Sequence, residues 1–585
     1  MVPSKNLINS VNDAVSETLS GLSYTYPQLE YHVSHRVVMS SDYRNRQDKV
    51  ALVCGGGSGH EPFAAGFVGS GMLTASIAGS IFSAPPSIHI TYALQLIAEN
   101  SKVGIVIVVP NYTGDCLNFG IAIEKARQAD ITVEEIIVGD DCSIPKDELS
   151  VAGKRGLVGM LFVIKIAGAF AKKGFSLHQV AEIARRVSQN IATYGVGLSA
   201  CTIPGQGLMF ELAQDEVECG MGVHGEAGYE RIKLRTASEL VTLMLKRICE
   251  ALSLSANDSV AIIINNFGAL SQLEQGIVVY EVVKQLRNMN IQPVRVYSGV
   301  LMTSLNSAGI HISLLKLTKE HGNVFVECLD EETTAPCWPG CNYSVSSTLT
   351  NSIPFRDTKK KEAEMIGISL NVRDQHLIKS CLENASAAII EKEAYLNELD
   401  RGCGDGDCGS TLKRFADGIL NNLDNLPLTH PAALLSEIAN IAEEHMGGTS
   451  GALYCLFFTA GAKMLASFEQ EEEDIRHVWF CAFRSGLNCL EKYGKAKAGD
   501  RTMIDTIYAT YTMYEKLLKE CRSNFYDKIA TAAWKGCDAT KHMKPKAGRA
   551  SYIKQAQYLT EVDAGAYAAA VWIAAIVQTI TRFKE

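Results

Sequence analysis

The chain has 585 residues, 47% of them hydrophobic and 20% charged, with a formal net charge of −9. That length exceeds one ordinary domain and that apolar share fills large cores, which excludes a disordered protein, while an acidic pI near 5.9 gives no broad attraction for nucleic acid or a membrane surface. Seventeen cysteines without a CxxC pair read as the reduced thiols of a cytoplasmic protein, and Met1-Val2-Pro3-Ser4-Lys5-Asn6 has no charged segment followed by an apolar one, so no secretory signal is expected.

Through residue 338 short β-branched runs alternate with helical stretches, the pattern of an α/β domain with largely buried strands. The first firm strand, Lys49–Cys54, leads into Gly55-Gly56-Gly57-Ser58-Gly59-His60-Glu61-Pro62. Glycines leaving a strand bring backbone N–H groups close to an oxyanion or a hydroxyl-rich ligand; the competing reading is a structural turn, against which His60 weighs. A dinucleotide fingerprint fits poorly, because the last glycine of GxGxxG falls on His60. The next strand, Val103–Val109, ends at Asn111-Tyr112-Thr113-Gly114-Asp115. Asp115 alone reads as a helix cap, but His60 and Asp115 at consecutive strand ends pair a candidate acid/base with a carboxylate where open sheets bind ligands.

Strand Ile131–Val138 and two helical tracts between Arg155 and Asn190 follow, which predicts two α/β subdomains. The tract Leu157–Phe170, broken by Lys165, is short for a bilayer span and reads as a buried helix. Gly220-Met221-Gly222-Val223-His224-Gly225-Glu226-Ala227-Gly228 leaves an imidazole sterically open, so His224 is a candidate base, metal ligand or nucleophile. Strands Ser259–Asn265 and Pro293–Tyr297 complete the pattern.

From Cys337 to Lys361 the periodicity fades into turn-forming residues, and 339–368 is the predicted linker. Beyond it, Leu434–His445, Gly451–Phe468, Ile504–Cys521 and Ala564–Ile580 predict an all-helical domain over 369–585. Its most telling stretch is Asp400-Arg401-Gly402-Cys403-Gly404-Asp405-Gly406-Asp407-Cys408-Gly409. Carboxylates so crowded repel one another unless a cation neutralises them, and magnesium takes oxygen ligands while keeping room for phosphate, although Asp-Gly pairs also build plain turns. A calcium EF-hand fits poorly, because Thr411 and Ala416 stand where that loop needs Glu. Met446-Gly447-Gly448-Thr449-Ser450-Gly451 enters an apolar helix and offers N–H groups and hydroxyls to phosphate, or simply caps that helix. Basic, glycine-broken loops follow around Gly494, Arg501 and Arg549; no GxxxxGK[ST] loop occurs, so a nucleotide site would not be of P-loop type.

In this order the motifs resemble the single-chain, ATP-dependent dihydroxyacetone kinases of the triokinase/FMN cyclase type, over nearly the whole length. The resemblance implies a ketone-binding α/β domain of two subdomains at 1–338 and a C-terminal antiparallel helical barrel that binds nucleotide. It also implies a homodimer whose small-molecule partners are a triose and ATP. It assigns His224 as the residue that adds to the substrate carbonyl, Gly57, Ser58, Gly59 and His60 as the triose lining, and Asp115, assisted by His60, as the base. It assigns Asp400, Asp405 and Asp407 to Mg2+ carried with ATP, or to Mn2+ or Co2+ if FAD is cyclised. Further nucleotide contacts it implies are Gly404, Gly406, Cys408, Gly409, Thr449 and Ser450, then Gly494, Arg501, Thr502, Arg549, Asp563 and Gly565. Pro110 departs from the lysine that relatives commonly carry before Asn-Tyr-Thr-Gly-Asp, and Ala564 from a proline. Two alternatives stay open: FAD-AMP lyase activity at the same nucleotide domain, and a protein that binds nucleotide and triose without turnover.

Overall fold

The computed structural model describes residues 5–145, 153–340, 345, 365–401, 404–469, 474–520, 524–547 and 560–584. It divides into two compact units, Met1–Ile353 and Pro354–Glu585; most of the predicted linker lies outside the described residues.

The first unit holds two six-stranded sheets. One sheet takes β1 (Leu29–His32), β2 (Val37–Ser40), β3 (Ala51–Ser58), β4 (Ala75–Ile81), β5 (Ile105–Pro110) and β6 (Val133–Val138) in the order β1-β2-β4-β3-β5-β6. β4, β3, β5 and β6 run parallel, so the carboxyl ends of β3, β4 and β5 share one edge, and β1 and β2 finish the sheet antiparallel. After β7 (Ile191–Gly197) a small ribbon of β8 (Thr202–Ile203) and β9 (Gly207–Leu208) stands apart. Then β10 (Glu216–Cys219), β11 (Glu230–Lys233), β12 (Ser259–Asn266), β13 (Gln292–Gly299) and β14 (Gly309–Leu317) join β7 in the order β11-β10-β7-β14-β12-β13. Only β12 and β13 pair in parallel there.

The helices of this unit are α1 (Ala14–Thr25), α2 (Ser87–Asn100), α3 (Thr113–Gln128), α4 (Met160–Lys172), α5 (Leu177–Gln189), α6 (Ala237–Leu252), α7 (Gln272–Asn288) and α8 (Gly322–Asp330). Side-chain alternation along the strands sorts them into layers. Ala51, Val53, Ile105, Ile107 and Val109 face α2 and α3, whereas Leu52, Cys54, Val106 and Val108 face a central core built with α4 and α5. In the other sheet Val260, Ile262 and Ile264 face α6 and α7, and Ala261 and Ile263 enter the same central core. Helix α4 is therefore walled on all sides, which explains why its sequence is apolar all round. Its buried Lys165 caps the end of α8: Nζ donates to the carbonyls of Cys328 at 2.6 Å and Glu331 at 2.7 Å.

The second unit is helical: α9 (Val372–Glu391), α10 (Glu393–Arg401), α11 (Cys408–Asn422), α12 (Pro431–His445), α13 (Gly448–Leu465), α14 (Ile475–Gly494), α15 (Met503–Glu520), α16 (Phe525–Ala539) and α17 (Ala564–Lys584). Each of α11 through α16 packs on the next, and α9 closes the circle between α17 and α11. The ring surrounds an apolar cavity of about 520 Å³ lined by residues such as Ile389, Phe415, Phe457 and Trp572. Helix α17 is long and apolar enough to cross a membrane, with mean hydropathy 1.5, yet most of it is buried against α9, α15 and α16 as a wall of this ring.

Candidate active site

The parallel edge of the first sheet builds the histidine pocket. β3 runs its glycines past β5: a Cβ at Gly56 would lie 3.7 Å from Asp115 Oδ1 and 3.8 Å from Pro110 Cγ, and one at Gly57 would lie 2.8 Å from the backbone N of Ser83. Ser58 donates its hydroxyl proton to the Gly79 carbonyl at 2.9 Å, stitching β3 to β4. Gly59 has φ +96°, a conformation that favours glycine, and a Cβ there would meet the Phe82 ring at 2.8 Å. The loop is held further by Glu61, which accepts from Gly59 N at 2.9 Å.

His60 is buried, and its Nδ1 lies 3.0 Å from the Thr303 carbonyl. A carbonyl can only accept, so Nδ1 carries the proton and Nε2 is left as the bare acceptor, with no partner. His224 stands among three rings, with centroids 4.9 Å from His60, 5.6 Å from Phe82 and 4.4 Å from Tyr112. Burial lowers the pKa of His60 to about 3, aided by His224. Burial, with the Arg155 charge adding to it, lowers that of His224 to about 4. Both imidazoles are neutral near pH 7. Burial raises Asp115 to about 7, and its Oδ1 has no partner.

Arg155 fixes the loop that carries His224. Its Nε donates to Asp141 Oδ2 at 2.7 Å, Nη1 to Glu226 Oε1 at 2.8 Å and Nη2 to the Gly220 carbonyl at 2.6 Å. One guanidinium thus ties both flanks of His224, a role that nothing local to Arg155 betrays in the sequence. Four buried atoms here lack partners: His60 Nε2, Asp115 Oδ1, Glu226 Oε2 and the Tyr112 hydroxyl. Each such group costs about 1–3 kcal/mol unsatisfied, so the pocket is built for a small ligand rich in hydroxyl or carbonyl oxygen.

In the helical ring, Asp400 sits near the end of α10 and Asp407 at the start of α11. The loop between them folds around Asp400, whose Oδ2 accepts from Gly406 N at 2.9 Å and Asp407 N at 3.1 Å. A Cβ at Gly404 would lie 2.1 Å from Asp400 Oδ1, and Gly406 adopts φ +76°. Asp400, Asp405 and Asp407 each offer an oxygen within 4.8 Å of the others. Burial and the adjoining charges of Asp405 and Asp400 raise the Asp407 pKa, so this cluster calls for a cation, and three hard oxygens suit magnesium. Arg414 of α11, which the sequence reading did not single out, opposes that shift and donates to the carbonyls of His445 at 3.2 Å and Met446 at 3.3 Å. The acidic loop and the glycine loop are neighbours through this side chain.

Thr449 and Ser450 stand in the first turn of α13, after Gly447 (φ 67°) and Gly448 (φ 59°), beside which no atom lies within 4 Å of an added Cβ. Gly494 ends α14, where an added Cβ would be 3.3 Å from Leu453 of α13. Arg501 is buried; its Nη2 donates to the Glu561 carbonyl at 3.0 Å, while Nε and Nη1 have no partner. Thr502 N donates to Asp505 at 2.8 Å. Asp563 caps α17 by accepting from Ala566 N at 2.9 Å; burial lifts its pKa to about 6, with Arg501 opposing and Asp505 and Asp400 adding. Gly565 packs against Met503. Cys408 and Gly409 have a packing reason: Cys408 joins the apolar core, and a Cβ at Gly409 would strike the Glu393 carbonyl at 2.0 Å. Arg549 lies outside the described residues.

Comparison with known proteins finds a Dak1 domain over residues 20–337 and a DAK2 domain over 402–578. The triokinase/FMN cyclase of Mus musculus is 39% identical over 585 residues, covering 99% of each chain. The dihydroxyacetone kinase of Pichia angusta is 34% identical and covers 94% of this chain and 93% of its own. The crystal structure of the dihydroxyacetone kinase from C. freundii in complex with AMP-PNP and Mg2+ matches with TM-score 0.65 and 30% identity, over 98% of this chain and 99% of that one.

Proposed function

We infer the chemistry from one premise: this chain belongs to the family of ATP-dependent dihydroxyacetone kinases that includes the triokinase/FMN cyclases, and it phosphorylates dihydroxyacetone and D-glyceraldehyde with ATP as donor. The observation that carries this reading is a neutral imidazole, His224, amid buried oxygen and nitrogen atoms that lack partners.

An unprotonated nitrogen of His224 adds to the substrate carbonyl carbon; the N–C bond forms, the C=O π bond breaks, the ring gives up the proton of its other nitrogen and the former carbonyl oxygen gains one, giving a neutral hemiaminal with no net change in protons. A covalent hold suits a ligand too small to bind tightly by contact, and it rejects polyols that lack a carbonyl. Asp115, assisted by the bare Nε2 of His60, takes the proton of the hydroxyl that attacks the γ-phosphorus, and a pKa near 7 matches that task. Asp400, Asp405 and Asp407 would hold magnesium with ATP, where the ion neutralises phosphate charge. Thr449, Ser450 and the unpartnered guanidinium nitrogens of Arg501 are suited to the nucleotide phosphates.

Incubation with Mg-ATP and dihydroxyacetone in a coupled triose phosphate assay tests the reading. No product sinks it, and full activity in His224→Ala sinks the covalent step.

A second activity is favoured by the 39% identity to a triokinase/FMN cyclase: cleavage of FAD to cyclic FMN, with Mn2+ or Co2+ at the same aspartates. Chromatography after incubation with FAD and manganese decides it. We place the protein in the cytoplasm, where the described cysteines, all free thiols, stay reduced, and the family resemblance favours a homodimer, which sedimentation tests.

A further inference from the structure

Two polar atoms of the histidine pocket take no part in the steps above. The hydroxyl of Tyr112 and Oε2 of Glu226 are sealed from solvent and bonded to nothing. The Tyr112 ring meets His224 at 4.4 Å and 90°. Glu226 follows His224 by two residues, and its charge reaches both Tyr112 and His60. Burial and that charge push the Tyr112 pKa well above its ordinary value, so the phenol keeps its proton and can donate.

The Glu226 carboxylate is not free to turn away. Glu226 Oε1 is held by Arg155, which is itself pinned by Asp141 and the Gly220 carbonyl. A Cβ at Gly222 would lie 2.0 Å from that same Oε1, so the carboxylate rests directly on the backbone of its own loop. Oε2 therefore stays available as an acceptor, close enough for the Glu226 charge to act on Tyr112.

A three-carbon hydroxycarbonyl substrate has three features to recognise. His224 takes the carbonyl carbon, and Asp115 with His60 serves the hydroxyl that is phosphorylated. One hydroxyl remains. We propose that Tyr112 and Glu226 bind this remaining, unphosphorylated hydroxyl, Tyr112 donating to its oxygen and Glu226 accepting its proton, so that the pair sets the preference for dihydroxylated carbonyl substrates. The proposal rests on the triose kinase reading. Its energetic basis is that a pocket with a buried donor and acceptor aimed at a hydroxyl rejects an analogue lacking it far more strongly than an apolar pocket does.

The test compares dihydroxyacetone with hydroxyacetone, which keeps the carbonyl and one hydroxyl and lacks the other. Steady-state kcat/KM is measured for both substrates in the parent, Tyr112→Phe and Glu226→Gln, with thermal melting to establish folding. The parent prefers dihydroxyacetone by about a hundredfold. Each variant loses about tenfold on dihydroxyacetone and stays within about twofold on hydroxyacetone, so the preference narrows. An equal fall on both substrates in both variants, or no fall on dihydroxyacetone, overturns the proposal. A parent that phosphorylates neither substrate instead overturns the kinase reading, and this proposal with it.

Discussion

Replacing Asp115 by asparagine should stabilise the protein while inactivating it, and pH separates the two effects. Asp115 is 4% exposed, with Oδ1 unpartnered, and burial raises its pKa from 3.8 to about 7. The native state therefore holds this proton more tightly than the unfolded chain. The cost of ionising the group is absent below about pH 4, grows as pH rises, and levels off above about pH 7. At about 1.4 kcal/mol per unit, the cost grows by about 3 kcal/mol between pH 5 and pH 8. Asparagine has nearly the same shape and carries no charge at either pH. Calorimetric or denaturant unfolding of parent and Asp115→Asn at both pH values should show the variant gaining about 3 kcal/mol on the parent from pH 5 to pH 8, several degrees in melting temperature. A stability difference that does not change with pH would refute the argument that burial raises this pKa. Activity supplies the matching readout: parental kcat/KM should rise with an apparent pKa near 7.

Because burial and the neighbouring aspartates raise Asp407 above its ordinary pKa, magnesium binding at acidic pH should release protons, measured by titration calorimetry in two buffers of different ionisation enthalpy; Asp407→Asn should lower the affinity by about tenfold and abolish most of that release. Arg155→Lys cannot reach Asp141, Glu226 and the Gly220 carbonyl together, so kcat/KM should fall about tenfold on hydroxyacetone, through His224, and further on dihydroxyacetone, through Glu226 as well; unchanged values would remove Arg155 from the positioning of His224. Gly409→Ala drives a methyl into the Glu393 carbonyl, and unfolding of the helical unit should cost about 1–3 kcal/mol less than in the parent, with the KM for dihydroxyacetone unmoved; an unchanged melting temperature would show that α10 and α11 are not locked there.

Several features were legible before any coordinates because they depend on local periodicity or residue type. The strands β3, β5, β6, β12 and β13 read from β-branched runs, and α4 read as buried from its unbroken apolar stretch. The acidic loop read from its spacing alone, since carboxylates separated by glycine must converge or repel. Strand β4 carries Ala, Gly and Ser in place of a strong β signal, β7 interrupts its β-formers with glycines, and neither was singled out; the largely antiparallel order of the second sheet has no local signature. The reading of Gly409 as a nucleotide contact gave no hint that the Glu393 carbonyl is what demands a glycine there.

Residue type and spacing thus singled out the candidate groups, His60, Asp115, His224 and the three aspartates, because those are properties of short stretches of chain. Tertiary structure alone decided what those groups can do. Arg155 reaches Glu226 across 71 positions, His60 meets a carbonyl 243 positions away, and burial lowers the histidines and raises Asp115. Desolvation and charge pairing depend on which atoms surround a group in space, and no window of sequence contains those neighbours.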